Sequence, residues 1–118
     1  MKRTMTDSDA TPGQELYTSI AVQLLGDPEI DEGRLFSAQG LRRNGKIFAM
    51  LTRDDRITLK LPAPRCAELV GTQRGVPFTA GGKTMREWVS LIDPSEHEAV
   101  ELAREALAYL RALHGPTG

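Results

Sequence analysis

The sequence has few of the residues that cross-link a protein chain, bind metal ions or span a membrane. Among its 118 residues is one cysteine, Cys66, which excludes an internal disulfide and does not predict a cysteine-rich zinc site. The two histidines lie near opposite ends of one predicted helix and predict no metal site. No apolar run approaches the roughly 20 residues that a membrane helix needs, and the polar N-terminus lacks the apolar region of a secretory signal. We therefore expect a cytoplasmic protein without cofactor or membrane contact.

Hydrophobic residues make up 40% of the chain, which is enough for a single domain with a core of its own. Residues 1–10 carry almost nothing apolar, and we expect them to form a flexible leader. We expect residues 11–114 to form one domain, with no linker and no internal repeat.

Three segments have the sequence signals of helices. Thr11, Pro12 and Gln14 have the spacing of a capped helix start. Apolar residues then recur every four positions until a Gly-Asp-Pro sequence ends the helix. A second helix is predicted over residues 63–72. A third is predicted over residues 93–114, where an acidic residue followed by proline gives the signal of a helix start.

Between the first two helices the hydrophobic pattern changes to the period of two that is typical of strands. Asn44-Gly45 is the strongest signal for a tight hairpin turn, because a type I′ turn needs positive φ at both central positions. Asp54-Asp55 predicts a second turn, and residues 27–32 are expected to be an acidic connector. The sequence thus predicts an α+β domain with an antiparallel sheet and the element order α-β(3)-α-β(2)-α. The five strands are predicted at residues 34–43, 46–53, 56–61, 76–78 and 85–92.

Two-residue turns at both hairpins would fix which residues face each other in the first three strands. Leu41 would lie opposite Phe48, and Met50 opposite Leu59, although one extra residue in either turn would exchange the faces. The predicted core face carries Leu35, Leu41, Phe48, Met50, Ile57, Leu59 and Leu61. The opposite face carries Phe36, Ala38, Gly40, Ile47, Ala49 and Leu51, mixed with the basic residues Arg42, Arg53, Arg56 and Lys60.

Four short segments follow one another in a recognisable order: residues 45–51 (GKIFAML), 57–62 (ITLKLP), 76–78 (VPF) and 83–89 (KTMREWV). They resemble the GKIFA…L.LKL…F…G…M.EW pattern of the MmcQ/YjbR-like proteins. The layout is also similar to the N-terminal domain of the TfoX/Sxy competence regulators. This resemblance implies a two-layer α/β sandwich of the secretion-chaperone-like kind. It also implies a protein of a group often described as DNA-binding, with no catalytic residues.

No catalytic arrangement can be assembled from the residue types present. The GGKT sequence at residues 81–84 is part of a phosphate-loop pattern, but Pro77 stands where the first glycine of such a loop would be. A turn between two strands is predicted there instead. No Ser-His-Asp or Cys-His set can be placed together, and Cys66 is expected to be a small buried core residue. We therefore expect no enzymatic activity.

The net charge of −1 conceals a segregation of charge along the chain. Residues 1–33 carry 2 basic and 7 acidic groups. Residues 34–86 carry 11 basic and 3 acidic groups, and residues 87–118 carry 2 basic and 6 acidic groups. The cationic strand region predicts an acidic partner, which is a nucleic acid or an acidic protein surface. The acidic helices of a second copy, or of the same chain, are the alternative. The predicted binding residues are Arg42, Arg53, Arg56 and Lys60.

An apolar interface is the second hypothesis. The mixed sheet face would be buried in a homodimer or against another protein through Phe36, Ile47 and Leu51. Trp88, the one tryptophan, is predicted to be a contact or stacking residue of that surface or a core residue under the last helix. The sequence thus predicts a non-catalytic binding module and leaves its partner open.

Overall fold

In the described part of the chain, a six-stranded antiparallel sheet carries three helices on one of its faces. The computed structural model describes residues 10–35 and 38–114. The helices are α1 (Pro12–Leu24), α2 (Ala63–Gly71) and α3 (Glu96–His114). The strands are β1 (Ile30–Leu35), β2 (Ala38–Arg43), β3 (Lys46–Leu51), β4 (Ile57–Lys60), β5 (Gly75–Ala80) and β6 (Lys83–Leu91). They lie in the order β1-β2-β3-β4-β6-β5.

The predicted α+β class with an antiparallel sheet in two layers is confirmed. Side chains of all three helices pack against one sheet face and form the main core with it. None of the helices in the described part of the chain is long and apolar enough to cross a membrane. Residues 1–9, which make up most of the predicted leader, lie outside the described residues.

The first helix begins as its capping signals predict. The Thr11 hydroxyl accepts a hydrogen bond from the Gln14 amide at 3.1 Å, and Pro12 occupies the first helical position. The last helix begins slightly later than predicted. Asp93 has a φ of 40°, and the cap is instead Ser95, whose hydroxyl accepts a hydrogen bond from the Glu98 amide at 3.0 Å.

The prediction of three strands before α2 is wrong by one strand. The acidic segment that was expected to be a connector forms the edge strand β1, which pairs with β2. Ile30 is buried in the main core, and the Tyr17 hydroxyl donates a hydrogen bond to Glu32 at 2.8 Å. The Asp31 carboxylate forms an ion pair with Arg42 on the neighbouring strand. Charged residues are common on edge strands, where they discourage pairing with other chains.

The two glycine-containing turns form as predicted. Asn44 and Gly45 have φ values of 54° and 78°, and Arg43 pairs directly with Lys46. In the β5–β6 hairpin, Gly81 and Gly82 have φ values of 59° and 79°. The GGKT sequence is therefore a hairpin turn followed by a strand, as the sequence predicts.

The predicted register between the first hairpin strands is wrong beyond the turn. A β-bulge lies in β3, where Leu41 pairs with Ala49 while Arg42 pairs with Ile47, so Phe48 is the additional residue. The next turn also differs, because Thr52 donates its amide hydrogen to the Arg56 carbonyl at 3.0 Å across a three-residue loop. As a result Met50 lies opposite Thr58 rather than Leu59.

These two irregularities exchange several residues between the faces of the sheet. Met50 is fully buried, but it packs with Ala38, Ile47 and Trp88 on the face without helices. Ala49 and Leu51 pack on the helix side. The predicted core positions that the structure confirms are Leu41, Phe48, Ile57, Leu59 and Leu61. The side chain of Leu35 and the whole of Phe36 lie outside the described residues.

Candidate functional site

The four basic residues predicted to bind an acidic partner lie at two ends of the sheet. Arg42 is at the end of β2 and Lys60 at the end of β4, so both lie near the Asn44-Gly45 turn. Arg53 and Arg56 lie in the loop between β3 and β4, at the opposite end. The structure therefore does not bring the four together into one contiguous patch.

Three of these four residues form ion pairs with carboxylates in strands or turns. Arg42 Nε lies 2.8 Å from Asp31 Oδ1, and Lys60 Nζ lies 3.2 Å from Glu87 Oε1. Arg56 Nε lies 3.5 Å from a carboxylate oxygen of Asp54, and its Nη1 donates to a strand carbonyl. The fourth residue, Arg53, is exposed and has no ion pair among the described residues. Positively and negatively charged side chains thus alternate on the surface of the sheet.

Much of the cationic middle of the sequence is neutralised by the acidic parts of the same chain. Arg43 is 2% exposed and pairs with Glu29 at 2.8 Å. Arg65 of α2 donates two hydrogen bonds to Glu105 of α3, each at 3.0 Å. Arg74 pairs with a glutamate of α3 in the same way. Of the alternatives left open by the sequence, the acidic segments of the same chain account for these cations. Cations with no carboxylate partner within the described residues include Lys46, Arg53, Lys83 and Arg86.

The face of the sheet without helices contains a groove, which we call the sheet groove. Its volume is about 400 Å³. Residues of β3 and of β5 line it together, although two strands separate them in the sheet. Arg53 and Asp54 lie at one end of the groove. Its floor and walls are formed by Ala38, Met50, Val76, Phe78, Ala80 and Ser90.

A buried pair of hydroxyl groups lies beneath the sheet groove. Thr58 Oγ1 and Ser90 Oγ are 2.7 Å apart, and their residues are 0% and 3% exposed. One hydroxyl donates to the other, so each has a hydrogen-bond partner within the fold. No histidine or carboxylate is hydrogen-bonded to either hydroxyl among the described residues, so neither has the base that an activated serine or threonine needs. In the sequence, this buried pair is indicated by the position of Thr58 between two residues of the predicted core.

The predicted interface residues lie on different sides of the molecule. Ile47 is 9% exposed and Trp88 is 9% exposed, and both pack in the small cluster on the face without helices. Leu51 packs against the main core on the helix side. Trp88 is therefore a buried residue, but not one under the last helix. Lys60 Nζ lies 5.7 Å from its ring centroid, and the Phe78 ring lies 6.3 Å away.

The single thiol has the environment of a structural residue. Cys66 is buried on α2, and its sulfur lies 3.5 Å from the Leu61 carbonyl oxygen. Burial raises the pKa of the Cys66 thiol, which keeps it in the unreactive protonated form. No group of three or more metal-ligating side chains occurs within the described residues.

Glu87 links the sheet to the last helix and is expected to make stability depend on pH. Hydrogen bonds from Lys60 and then Tyr109 hold the pKa of Glu87 below its ordinary value of 4.5. A lowered folded-state pKa means that this stabilisation is complete above about pH 4.5 and is lost as the pH falls through the folded-state pKa. The free energy of unfolding should therefore fall on acidification below that pH, and Glu87→Gln should reduce the fall.

The measurement is urea denaturation of the wild type and the variant between neutral and acidic pH. Glu101→Gln is the matched control, because Glu101 is exposed on α3 and has no ion pair within the described residues. Equal pH dependence in the wild type and Glu87→Gln would contradict the prediction.

Comparisons with known proteins identify no relative. Searches against protein-family models, curated proteins and solved structures found no match to this chain.

Proposed function

We propose that this chain is a non-catalytic binding module and that the sheet groove binds a short acidic segment of a partner protein. One observation carries the proposal. Within the described residues, no helix covers this face of the sheet, the groove lining is largely apolar, and the exposed Arg53 in that lining has no carboxylate partner. Lys83, a second such cation, lies directly opposite the groove residue Ala80 in the β5–β6 hairpin.

The volume and lining of the sheet groove suit a short peptide segment. Ligand sites in proteins commonly have volumes of about 300–1,000 Å³, with an apolar lining and a few polar groups that fix orientation. The partly buried Val76 and Phe78 supply apolar surface, and Thr52 and Arg53 also line the groove. A carboxylate of the partner would complement Arg53, and an apolar side chain beside it would occupy the floor.

The alternation of charge argues against a long polyanion as the preferred partner. A nucleic acid is held by cations spaced along its phosphates. On this sheet, however, three of the cations predicted to contact phosphate are already paired with carboxylates, which belong to Asp31, Asp54 and Glu87. A phosphate backbone would have to compete with these carboxylates, whereas a short acidic segment needs only one or two cations.

Selection of phage-displayed random peptides tests the proposal. We expect peptides selected on the wild type to be enriched in Asp and Glu next to an apolar residue. Ala80→Trp, which fills the sheet groove, should abolish their binding, and Arg53→Gln should weaken it by roughly tenfold. Ala108→Trp is the control, because Ala108 is exposed on α3 on the opposite side of the sheet.

Two outcomes would reject the proposal that the sheet groove binds an acidic peptide. The first is the absence of any consensus among selected peptides. The second is a consensus whose binding is unchanged by Ala80→Trp. A homodimer that forms through this face, detected by light scattering and dissociated by Ala80→Trp, would replace the peptide with a second copy of the chain.

Nucleic-acid binding is the second candidate function. It is favoured by the observation that the ion-pair partners of Arg42, Arg56 and Lys60 belong to strands and turns rather than to helices, and that the Arg42 and Arg56 side chains remain 39% and 36% exposed. It predicts binding of duplex DNA at about 50 mM salt that weakens steeply at about 200 mM. No change in the anisotropy of labelled DNA at the lower salt concentration would reject it. The resemblance to the MmcQ/YjbR-like proteins stays a prediction.

A further inference from the structure

A second groove lies between α2 and the β5–β6 hairpin, and we call it the hairpin groove. Its volume is about 570 Å³. It forms where the ladder between β5 and β6 opens: Pro77 pairs with Val89, but the next residue, Phe78, pairs with Met85. Three residues of β6 therefore have no partner on β5, and Pro77 has no amide hydrogen to offer there. The hairpin groove therefore results from the shift in pairing between the two strands.

The lining of the hairpin groove is mostly apolar, and its polar residues are Thr84 and Arg86. From α2 it receives Cys66, Ala67 and Val70, and from β6 it receives Met85 and Trp88. Arg86 also lines the groove and is exposed. The Arg86 guanidinium forms no ion pair within the described part of the chain. An apolar groove with one unpaired guanidinium complements a ligand that has an apolar body and one anionic group.

We infer that the hairpin groove binds a small amphipathic carboxylate, an aliphatic chain with a single carboxylate head. The chain would lie between Ala67, Val70 and Met85, where its burial supplies affinity in proportion to the apolar area removed from water. Arg86 would bind the carboxylate through a charge-assisted hydrogen bond, for which the planar guanidinium is well suited. Within the described residues, Pro77 is the one residue that lines both grooves, and Arg53 does not line this one, so the inference does not depend on the proposed peptide binding.

The lining residues favour an aliphatic chain in particular. Ala67 is exposed and small, so the α2 wall leaves space beside its helix backbone. Met85 is unbranched and adapts to irregular apolar surfaces, as methionine does at many binding sites. Lys60 lies over the Trp88 ring but is itself paired with Glu87, so it is not available to bind a carboxylate without losing that partner. Arg86 is thus the residue that selects the anionic head.

Titration with decanoate, followed by the fluorescence of Trp88 and by calorimetry, tests the inference. Trp88 is the only tryptophan in the chain and lines the groove, so its emission reports occupancy directly. We expect a saturable change below about 1 mM decanoate, no change with acetate, and binding of decanol at least roughly tenfold weaker.

Three variants locate the site. Arg86→Gln should weaken decanoate binding by roughly tenfold while leaving decanol binding unchanged. Ala67→Phe, which fills the groove from an exposed position, should remove binding of both ligands. Lys46→Gln removes a cation outside the groove and should leave the decanoate affinity unchanged.

The outcomes that would overturn the inference are separate from those of the peptide experiment. Absence of saturable decanoate binding to the wild type overturns it. Equal affinity for decanoate and decanol overturns the assignment of the carboxylate to Arg86. Binding that survives Ala67→Phe overturns the location.

Discussion

Phe48→Ala is expected to lower the free energy of unfolding by about 3–5 kcal/mol. Phe48 is fully buried and lies in the β-bulge of β3, where it packs in the main core beneath the helices. Truncation removes its apolar contacts and leaves a cavity that the bulged strand cannot close without losing its pairing with β2. Because domains of this size are stable by about 5–15 kcal/mol, the change removes a large part of the total.

Urea denaturation monitored by circular dichroism measures this loss. Phe78→Ala is the matched control, because Phe78 is only partly buried and packs in the small cluster on the other face. Phe78→Ala should lower the free energy of unfolding by clearly less than Phe48→Ala. The dependence of that free energy on urea concentration should be the same for both variants. A loss for Phe48→Ala no greater than that for Phe78→Ala would show that the bulged residue is not a main contributor to the core.

Two elements whose signals are local were predicted correctly from the sequence. The helix start at Thr11 and Pro12 depends on groups within one turn of each other, and the structure contains that cap. The Asn44-Gly45 turn depends on backbone conformations that few residue pairs adopt, and both φ values are positive. Such features require no knowledge of what lies across the sheet.

The register of β3 could not be predicted, because its residues carry no alternating pattern. Residues 47–51 are all apolar, so each would be acceptable on either face of a sheet covered by apolar side chains. One additional residue, Phe48, is enough to move Met50 to the face without helices and Leu51 to the face with them. The second turn contributes in the same way, since Asp55 has a φ of 66° in a loop of three residues.

Two of the four basic residues of the candidate site were predicted on the correct face of the sheet, but not with their carboxylate partners. Alternation along strands puts Arg42 and Lys60 on the face without helices, as predicted. Their carboxylate partners lie 11 and 27 residues away in sequence, on strands whose pairing depends on the register. The sequence could show that charge is segregated, but the fold decides how much of it is neutralised.

The two grooves were not predicted at all, and the reason is again register. The hairpin groove exists because the β5–β6 ladder skips three residues of β6 after Pro77. Proline is disfavoured at internal positions of a strand, but its effect on the partner strand depends on how the chain closes around it. The sequence therefore predicts a weak point in the hairpin and not the cavity that results from it.

Gly13→Ala is expected to destabilise the fold by about 2–4 kcal/mol, despite the better helix propensity of alanine. A Cβ atom on Gly13 would lie 2.4 Å from the carbonyl oxygen of Asp55 and 2.5 Å from its Oδ1 atom. The Asp55 carboxylate also accepts hydrogen bonds from the Thr11 hydroxyl at 2.5 Å and from the Gly13 amide at 3.2 Å. Since the closest atom belongs to the backbone, the β3–β4 loop must move away from the start of α1, and the capping bonds weaken with it.

Gly26→Ala is the matched control for this effect. A Cβ atom on Gly26 meets nothing within 4 Å, and its φ is not positive, so alanine there should change stability by less than about 1 kcal/mol. Urea denaturation of both variants separates a steric clash from a general effect of replacing glycine. If the two variants lose the same stability, close contact between the start of α1 and the Asp55 loop does not exist in solution. If only Gly13→Ala is destabilised, the close approach of the Asp55 loop to the start of α1 is the cause of the loss.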